Sequence, residues 1–270
     1  MFLDVDGTYA HRGEVPAAHA SAVRAARAAG HAVLLCTGRP KAMLPAHILD
    51  AGFDGIVAAA GGFVELDGEV LADRRFPEPL AERAVAALQA HDAAFILEAP
   101  DALYGPPGLD RRLTALFGAH VDSQTGERHK VPRGILAGLR MSDDLAGASF
   151  GKITCFGSPV PVTTLRDEIG GPLGVLPISI QGMGDGAGEI YLEGIDKAIG
   201  MRLAAQHLGF ALGDVIAFGD GLNDLEMIAE AGVGVAIEGS DPRVLAVADR
   251  VAAGPERAGL VRAFIALGLI

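Results

Sequence analysis

The sequence is poor in aromatic side chains and in cysteine. Its 270 residues include no tryptophan and only two cysteines, and aromatic residues make up 5% of the chain. Cys36 and Cys155 are too few for a disulfide framework and lack the spacing of metal ligands. We therefore predict that both thiols are reduced and buried as small apolar side chains.

Positive charge is also scarce. The chain has 22 lysines and arginines against 34 aspartates and glutamates, which gives a net charge of −12. A chain this acidic has no global positive field that would attract nucleic acid or an anionic membrane surface. We therefore expect neither as a partner, and we expect any bound anion to be held by a local arrangement of residues.

Several other signals are missing. There is no run of the ~20 apolar residues that a membrane span requires, and no basic segment followed by the apolar segment of a secretory signal. The nucleotide-binding patterns G-x-x-x-x-G-K-[ST] and G-x-G-x-x-G are absent, because Ala187 and Glu189 stand where the glycine-rich run 182–188 would need its third glycine. Together with the cysteine content, these absences predict a cytoplasmic protein.

Strand-like and helix-like runs alternate at both ends of the chain. Near the N-terminus they are the strands Met1–Val5, Ala32–Cys36 and Gly55–Ala59 and the helical runs Pro16–Ala29 and Lys41–Ala51. Near the C-terminus they are helices at about 196–208 and 224–231 and strands at 215–218 and 233–237. This alternation predicts βαβ units and an α/β fold with a Rossmann-like core around a parallel sheet.

The middle of the chain has a different composition. Proline and glycine clusters such as APDALYGPPG and GSPVPV separate short strand-like and helix-like segments. We predict that 77–186 is an inserted α/β domain, and that 1–76 and 187–270 together form the core.

Polar residues gather after the predicted parallel strands, where open α/β sheets bind their ligands. They are Asp4, Asp6 and Thr8 after the first strand, Thr37, Gly38 and Arg39 after the second, and Asp220, Asn223 and Asp224 after the strand at 215–218. One such acid could simply cap a turn or a helix. Four packed carboxylates repel one another unless a cation relieves them, and Mg²⁺ prefers oxygen ligands of this kind.

Four motifs, in this order, resemble those of the haloacid dehalogenase-like phosphohydrolases, and within them the Cof-type phosphatases with a large, C2-type α/β cap. They are DVDGT at Asp4–Thr8, CTGR at Cys36–Arg39, the lysine of GIDKAIGM at Lys197, and FGDGLNDLEM at Phe218–Met227. The predicted insert lies between the second and third motifs, where that subclass places its cap. The resemblance therefore implies a haloacid dehalogenase-like core with an inserted cap domain.

The resemblance also implies an aspartyl-phosphate mechanism. Asp4 would attack phosphorus, and Asp6 would protonate the leaving oxygen and then activate water. Gly7 would let the backbone turn without a Cβ clash, and Thr8 would hold that turn by a hydrogen bond to the backbone.

Further roles follow from the same resemblance. Magnesium would be held by the Asp4 carboxylate, the Asp6 carbonyl, Asp220 and, directly or through water, Asp224. Phosphate oxygens would be bound by Thr37, Gly38, Lys197 and Asn223. Arg39 either contacts the substrate or is a surface loop arginine, and the sequence leaves both open. Lys197 falls in the first turn of a predicted helix, where the helix dipole disfavours a cation unless an anion lies nearby.

Two loops depart from the family pattern and leave the choice of substrate open. Ala59-Ala60-Gly61-Gly62 stands where Asn-Gly-Ala is frequent, and Glu238-Gly239-Ser240 stands where Gly-Asn-Ala is common. The chain also begins three residues before Asp4, so a start further upstream stays an alternative.

We predict a Mg²⁺-dependent phosphatase acting on a small phosphorylated metabolite, with a sugar phosphate as the first candidate. A phosphomutase on the same scaffold is the alternative among enzymes. The alternative from another class is a non-catalytic sensor of a phosphorylated metabolite. A sensor needs neither a nucleophile nor a general acid, so the presence of both Asp4 and Asp6 argues against it.

Overall fold

The computed structural model describes residues 1–120, 128, 130–145, 147–178 and 182–270. The chain divides into two compact units. The first unit contains 1–40, 44–73 and 195–270, and the second contains 41–43 and 74–194. Some positions of the predicted insert, namely 121–127, 129, 146 and 179–181, lie outside the described residues.

Helices and strands alternate along the described chain. The N-terminal part contains β1 (Phe2–Leu3), α1 (Ala17–Ala28), β2 (Leu34–Cys36), α2 (Ala46–Leu49), β3 (Gly55–Ala58), β4 (Phe63–Leu66) and β5 (Glu69–Asp73). The middle part contains α3 (Glu78–Ala90), β6 (Ala94–Glu98), β7 (Leu103–Gly105), α4 (Leu109–Ala119), α5 (Arg133–Gly138), β8 (Leu139–Met141), β9 (Lys152–Gly157), α6 (Val162–Ile169), β10 (Leu173–Pro177) and β11 (Gly188–Leu192). The C-terminal part contains α7 (Lys197–His207), β12 (Ile216–Gly219), α8 (Leu225–Glu230), β13 (Val233–Ile237), α9 (Pro242–Val247), β14 (Arg250–Ala252) and α10 (Gly259–Ala266).

The first unit is built on one sheet with the strand order β14-β13-β12-β1-β2-β3-β4-β5. Neighbours from β14 to β3 are parallel, and β4 and β5 add an antiparallel edge. The structure thus confirms the predicted α/β fold with a parallel-sheet core. Leu3 of β1 lies opposite both Leu35 and Phe218, so the residues that follow β1, β2 and β12 come out side by side.

Both faces of this sheet are covered by helices. Leu3, Leu35 and Phe218 share one apolar cluster with side chains of α1 and α10. Their strand neighbours Phe2 and Leu34 belong to a second cluster with side chains of α7. Burial on both faces explains why these strands are apolar throughout, as is usual for parallel strands.

Two predicted elements are wrong in extent. The helix predicted over Lys41–Ala51 is a 3₁₀ turn at Lys41–Met43 followed by α2, with Pro45 between them. Proline lacks the N–H that a helix interior needs and disfavours a helical conformation at the residue before it. The first strand, predicted over Met1–Val5, ends at Leu3 because the chain folds back there, and the carbonyls of its next two residues accept hydrogen bonds from Tyr9 and Ala10.

The second unit has its own sheet, in the order β10-β11-β9-β6-β7-β8. Its pairs are antiparallel except for β7 with β8. Helices α3 and α6 supply one apolar cluster and α4 supplies another.

Cys36 in the first unit and Cys155 in the second are both buried and free, as predicted. Within the described ranges, none of the helices combines the length and apolar composition needed to cross a membrane.

A buried histidine links three segments of the first unit. His19 on α1 is fully buried, and its Nδ1 lies 3.0 Å from the carbonyl oxygen of Tyr9. Its Nε2 lies 3.3 Å from the backbone nitrogen of Leu260 at the start of α10. Because an amide N–H can only donate, Nε2 accepts and Nδ1 carries the proton. Burial lowers the pKa of His19 below its ordinary value of 6.5, so the folded protein keeps the ring neutral.

We predict that this histidine makes the fold acid-sensitive. The unfolded chain takes up a proton near pH 6.5 while the folded chain does not, so His19 stabilises the fold above that pH and loses its effect as the pH falls. His19→Leu, which leaves two backbone groups unpaired, should lower the unfolding free energy by about 1–3 kcal/mol at pH 7.5. In urea titrations the difference in unfolding free energy between His19→Leu and the unaltered protein should be smaller at pH 5 than at pH 7.5. A difference that stays constant, or one equal to that of the exposed control His207→Gln, would contradict the assignment.

Candidate active site

Three carboxylates meet at the carboxyl ends of the central strands. Asp4 follows β1, Asp220 follows β12, and Asp224 directly precedes α8. Each contributes an oxygen within 4.8 Å of the others. Asp4 and Asp224 are buried, and Asp220 is half-buried. The backbone N–H of Asp4 donates to the Phe218 carbonyl at 2.9 Å, which fixes the first motif against the last one.

A buried lysine joins two of these acids. Lys197, the first residue of α7, has no exposed surface. Its Nζ donates to Asp4 Oδ1 at 2.6 Å and to Asp224 Oδ1 at 2.5 Å. The helix begins at this depth because Gly61, at φ +97°, lets the backbone of Asp196 approach it, whereas a Cβ at residue 61 would overlap the Asp196 carbonyl oxygen.

The cluster carries more negative than positive charge when its acids are ionised. Burial raises the pKa of Asp4 well above its ordinary range, and the Lys197 ammonium only partly offsets that rise. Burial and the Asp224 charge raise the pKa of Asp220 to about 6. For Lys197, burial lowers the pKa, but the charges of Asp224 and Asp4 outweigh it and the net shift is upward. Oxygen donors with excess negative charge fit a hard divalent cation such as Mg²⁺.

Hydrogen bonds within the last motif, and one from Thr8 of the first motif, hold two of the acids in place. Asp224 Oδ2 accepts from the backbone N–H of Asp220 at 3.1 Å and of Gly221 at 2.9 Å. The Thr8 hydroxyl donates to Asp220 Oδ1 at 3.0 Å. This differs from the prediction that the Thr8 hydroxyl bonds the backbone of its own turn. The carboxylate of Asp220 lies close enough to accept the hydrogen bond from that hydroxyl instead.

The predicted role of Gly7 is confirmed. Its φ is +90°, and a Cβ there would overlap the carboxylate of Asp220. Residue 7 must therefore be glycine for two reasons. Its backbone is left-handed, and a side chain would occupy the space of the Asp220 carboxylate.

We predict that Gly7→Ala disrupts the three-carboxylate cluster and that Gly13→Ala does not. Gly13 has a similar φ of +82° but no atom within 4 Å of an added Cβ, so it controls for the backbone cost alone. Gly7→Ala should lose about 1–3 kcal/mol of unfolding free energy and most of the Mg²⁺-induced rise in Tm. Equal losses in both variants would mean that the contact with Asp220 is unimportant.

The second motif and Asn223 lie beside this cluster. The Thr37 backbone N–H donates to the Val57 carbonyl at 2.8 Å, and its hydroxyl accepts from the Arg39 backbone N–H at 3.1 Å. A Cβ at Gly38 would lie 3.2 Å from Asn223 Nδ2, so the amide of Asn223 lies against that glycine. Parallel pairing of β1 with β2 and β12 thus brings Thr37, Gly38 and Asn223 to the sheet edge that also carries Asp4. Lys197 reaches Asp4 from α7.

The loop that departs from the family pattern supports the second motif. Ala59 and Ala60 both have left-handed backbone conformations, at φ +48° and +52°. The Ala59 N–H donates to the Arg39 carbonyl at 2.8 Å, and the Ala60 N–H donates to the Thr37 carbonyl at 3.0 Å. The strained conformation of this loop is thus tied to the backbone of residues 37–39.

Asp6 is not one of the three clustered carboxylates and pairs with Arg39. Its side chain is 54% exposed. Arg39 Nε donates to Asp6 Oδ2 at 2.7 Å, and the terminal nitrogen NH2 donates to Oδ1 at 2.6 Å. The sequence leaves Arg39 as either a substrate contact or a surface loop arginine and does not predict this pair. The adjacency of β1 and β2 was the one signal that could have suggested it.

The chain is similar to several known proteins. A family model described as haloacid dehalogenase-like hydrolase matches residues 1–264. A Bacillus subtilis (strain 168) protein named "Putative phosphatase YkrA" is 25% identical over 274 residues, covering 100% of this chain and 98% of the relative. Two solved structures are similar to the whole chain at 21% identity, which shows the fold alone. The HAD subclass IIB sugar phosphatase BT4131 has a TM-score of 0.77 and is 98% covered. The phosphatase BT1666 from Bacteroides thetaiotaomicron has a TM-score of 0.76 and is 94% covered.

Proposed function

Because the chain belongs to the haloacid dehalogenase-like hydrolases and is a phosphatase of that family, we propose that it hydrolyses a small phosphorylated metabolite with Mg²⁺, through an aspartyl phosphate on Asp4. The observation that carries the proposal is the buried Asp4 carboxylate, held by Lys197 at 2.6 Å beside two further carboxylates. A lone structural ion pair would not need the additional acids, since each one adds buried negative charge.

The proposed reaction has two steps. An oxygen of Asp4 attacks phosphorus, the bond from phosphorus to the substrate oxygen breaks, and Asp6 gives its proton to that leaving oxygen. Asp6 then takes a proton from water, whose oxygen attacks the aspartyl phosphate. Phosphate leaves, and the Asp4 carboxylate is restored. Asp6 is ionised once it has given its proton to the leaving oxygen, so the same residue can then act as the base that takes a proton from water.

The remaining polar residues would bind the phosphoryl group. Lys197, Thr37, the Gly38 backbone and Asn223 would contact the oxygens that do not react. Magnesium would be held by the Asp4 and Asp220 carboxylates and the Asp6 carbonyl, with Asp224 directly or through water, and would compensate charge on the phosphoryl oxygens.

We further propose that the second unit is a cap that selects the substrate. The first unit accounts for a cation and a phosphoryl group but offers little that would recognise the rest of a metabolite. A cap of this kind can exclude water during attack and release product afterwards. A sugar phosphate is the first candidate substrate, as in the sequence analysis, and one structure of the same fold is named as a sugar phosphatase. The two free, buried thiols support a reducing, cytoplasmic location.

The experiment is a phosphate-release screen over phosphorylated metabolites with Mg²⁺ present. Free phosphate formed without a bisphosphate activator supports a phosphatase, whereas transfer back to the substrate identifies a phosphomutase. Binding of phosphorylated metabolites with no turnover would indicate a sensor.

We predict that excess chelator abolishes phosphate release and that Mg²⁺ restores it better than Ca²⁺. Calcium takes more oxygen ligands at longer distances, which displaces a carboxylate that must lie close to phosphorus for in-line attack. Activity is measured with para-nitrophenyl phosphate after each cation is added back to metal-free protein. Full activity in chelator, or equal recovery with both cations, would contradict the prediction.

A further inference from the structure

We propose that Arg39 is a positioning residue that orients the carboxylate of Asp6, and that it acts on the reaction through Asp6. This inference rests on the proposed function, in which Asp6 exchanges protons with the leaving oxygen and with water. The Asp6 oxygen that carries the proton gives up its bond from Arg39, and the other oxygen keeps its own. It assigns to Arg39 a role different from the substrate contact that the sequence leaves open.

The contact between the two side chains is bidentate. Nε and NH2 of Arg39 each donate to a different oxygen of Asp6, at 2.7 and 2.6 Å. Two parallel hydrogen bonds fix the plane of a carboxylate as well as its position. A single bond, or a charge alone, would leave the carboxylate free to turn about its bond to Cβ.

The arginine itself starts from a rigid backbone. Its N–H donates to the Thr37 hydroxyl at 3.1 Å, and its carbonyl accepts from the Ala59 N–H at 2.8 Å. Its side chain is 21% exposed. The guanidinium is therefore held from the second motif, and it transmits that position to Asp6.

Asp6 needs such support because its side chain is 54% exposed. An exposed aspartate samples several rotamers, and proton transfer requires the carboxylate to lie within hydrogen-bond reach of the leaving oxygen. A displacement of about 1 Å at a reacting group can cost about 100-fold in rate. Holding the Asp6 rotamer is thus a way in which Arg39 can affect kcat without touching the substrate.

The test compares Arg39→Ala, Arg39→Lys and the unaltered protein with Mg²⁺, using phenyl phosphate and para-nitrophenyl phosphate. Arg39→Ala should lower kcat for phenyl phosphate by about 10- to 100-fold with KM within about twofold, because general acid catalysis is impaired and uniform binding is not. The loss should be smaller for para-nitrophenyl phosphate, whose leaving group needs less protonation. Arg39→Lys should recover little, since an ammonium cannot form the paired bonds.

A double-mutant cycle with Asp6→Asn isolates the pathway. If Arg39 acts through Asp6, Arg39→Ala should cost less than about twofold in the Asp6→Asn background, measured as the single-turnover rate with para-nitrophenyl phosphate. Losses that multiply, or a raised KM with kcat retained, would overturn the inference and return Arg39 to substrate binding.

A matched control is available in the same unit. Arg27 forms a similar bidentate pair with Asp54, with bonds of 3.0 and 2.6 Å, so Arg27→Ala removes an equivalent pair outside the site and should leave kcat unchanged. If Arg39→Ala does not fold, Arg39→Lys and Arg39→Gln carry the comparison. Inactivity of the unaltered protein overturns the proposed function and this inference together, whereas an active protein whose Arg39 variants keep their kcat overturns only this inference.

Discussion

Replacing Asp4 with asparagine is expected to abolish turnover, with kcat falling on the order of 10⁴-fold or more. An amide is neither an adequate nucleophile toward phosphorus nor an anionic ligand for Mg²⁺. The fold should survive, because asparagine has the same shape and its side-chain oxygen can still accept from Lys197. Burial already disfavours the ionised form of Asp4 and raises its pKa, so we expect the unfolding free energy to change by no more than about 1–2 kcal/mol.

Three measurements check this expectation. Phosphate release gives kcat, urea unfolding gives stability, and mass spectrometry of acid-quenched protein detects phosphate on the chain. Asp54→Asn is the matched control, since Asp54 lies in the same unit and pairs with Arg27 away from the carboxylate cluster. It should retain kcat. Appreciable phosphate release by Asp4→Asn, or a phosphorylated chain in that variant, would rule out Asp4 as the nucleophile.

Lys197→Met is expected to damage both stability and activity. Without the ammonium, two buried carboxylates lose the cation that lies 2.6 and 2.5 Å from them. Removing one partner of a buried ionic group typically costs about 3–5 kcal/mol, because the remaining charges are left uncompensated. Phosphate release should fall as well, since the positive charge that we propose contacts the phosphoryl oxygens is lost.

Magnesium provides the diagnostic comparison for this variant. Urea unfolding with and without Mg²⁺ should show a larger stabilisation of Lys197→Met than of the unaltered protein, because the added cation compensates the same acids. Arg202→Met is the matched control. It lies on the same helix α7 and pairs with Glu230 at the surface, so it should cost no more than about 1 kcal/mol. A Lys197→Met protein as stable as this control without Mg²⁺ would contradict the electrostatic role.

The convergence of the site could be predicted from the sequence because it follows from strand order. Asp4, Thr37 and Asp220 each follow a buried apolar run, and β1 pairs in parallel with both β2 and β12. The general rule for open α/β sheets then brings the three residues to one edge. The ends of α1 could also be predicted from the sequence, because Pro16 and Gly30 mark them. The helix was predicted at 16–29 and is found at 17–28.

Side-chain partners were harder to predict because they depend on rotamers and close approaches between distant segments. The pairing of Arg39 with Asp6 and the bond from Thr8 to Asp220 join residues 33 and 212 positions apart. The depth of Lys197 depends on a backbone approach at Gly61 that no local pattern shows. The break at Pro45 was visible in the sequence, but the apolar pattern around it favoured a single helix.

The central position of β1 in the sheet affects how the chain folds during synthesis. As the ribosome makes the protein, β1 can pair with β2 early, but its other side stays open until β12 is made, and the contact from Lys197 to Asp4 joins residues 193 positions apart. An apolar strand with an unpaired side is prone to pair with another chain. The first motif is therefore exposed to misassembly for most of synthesis, and a stall before residue 216 leaves a nascent chain with an open strand that a holdase chaperone would have to cover.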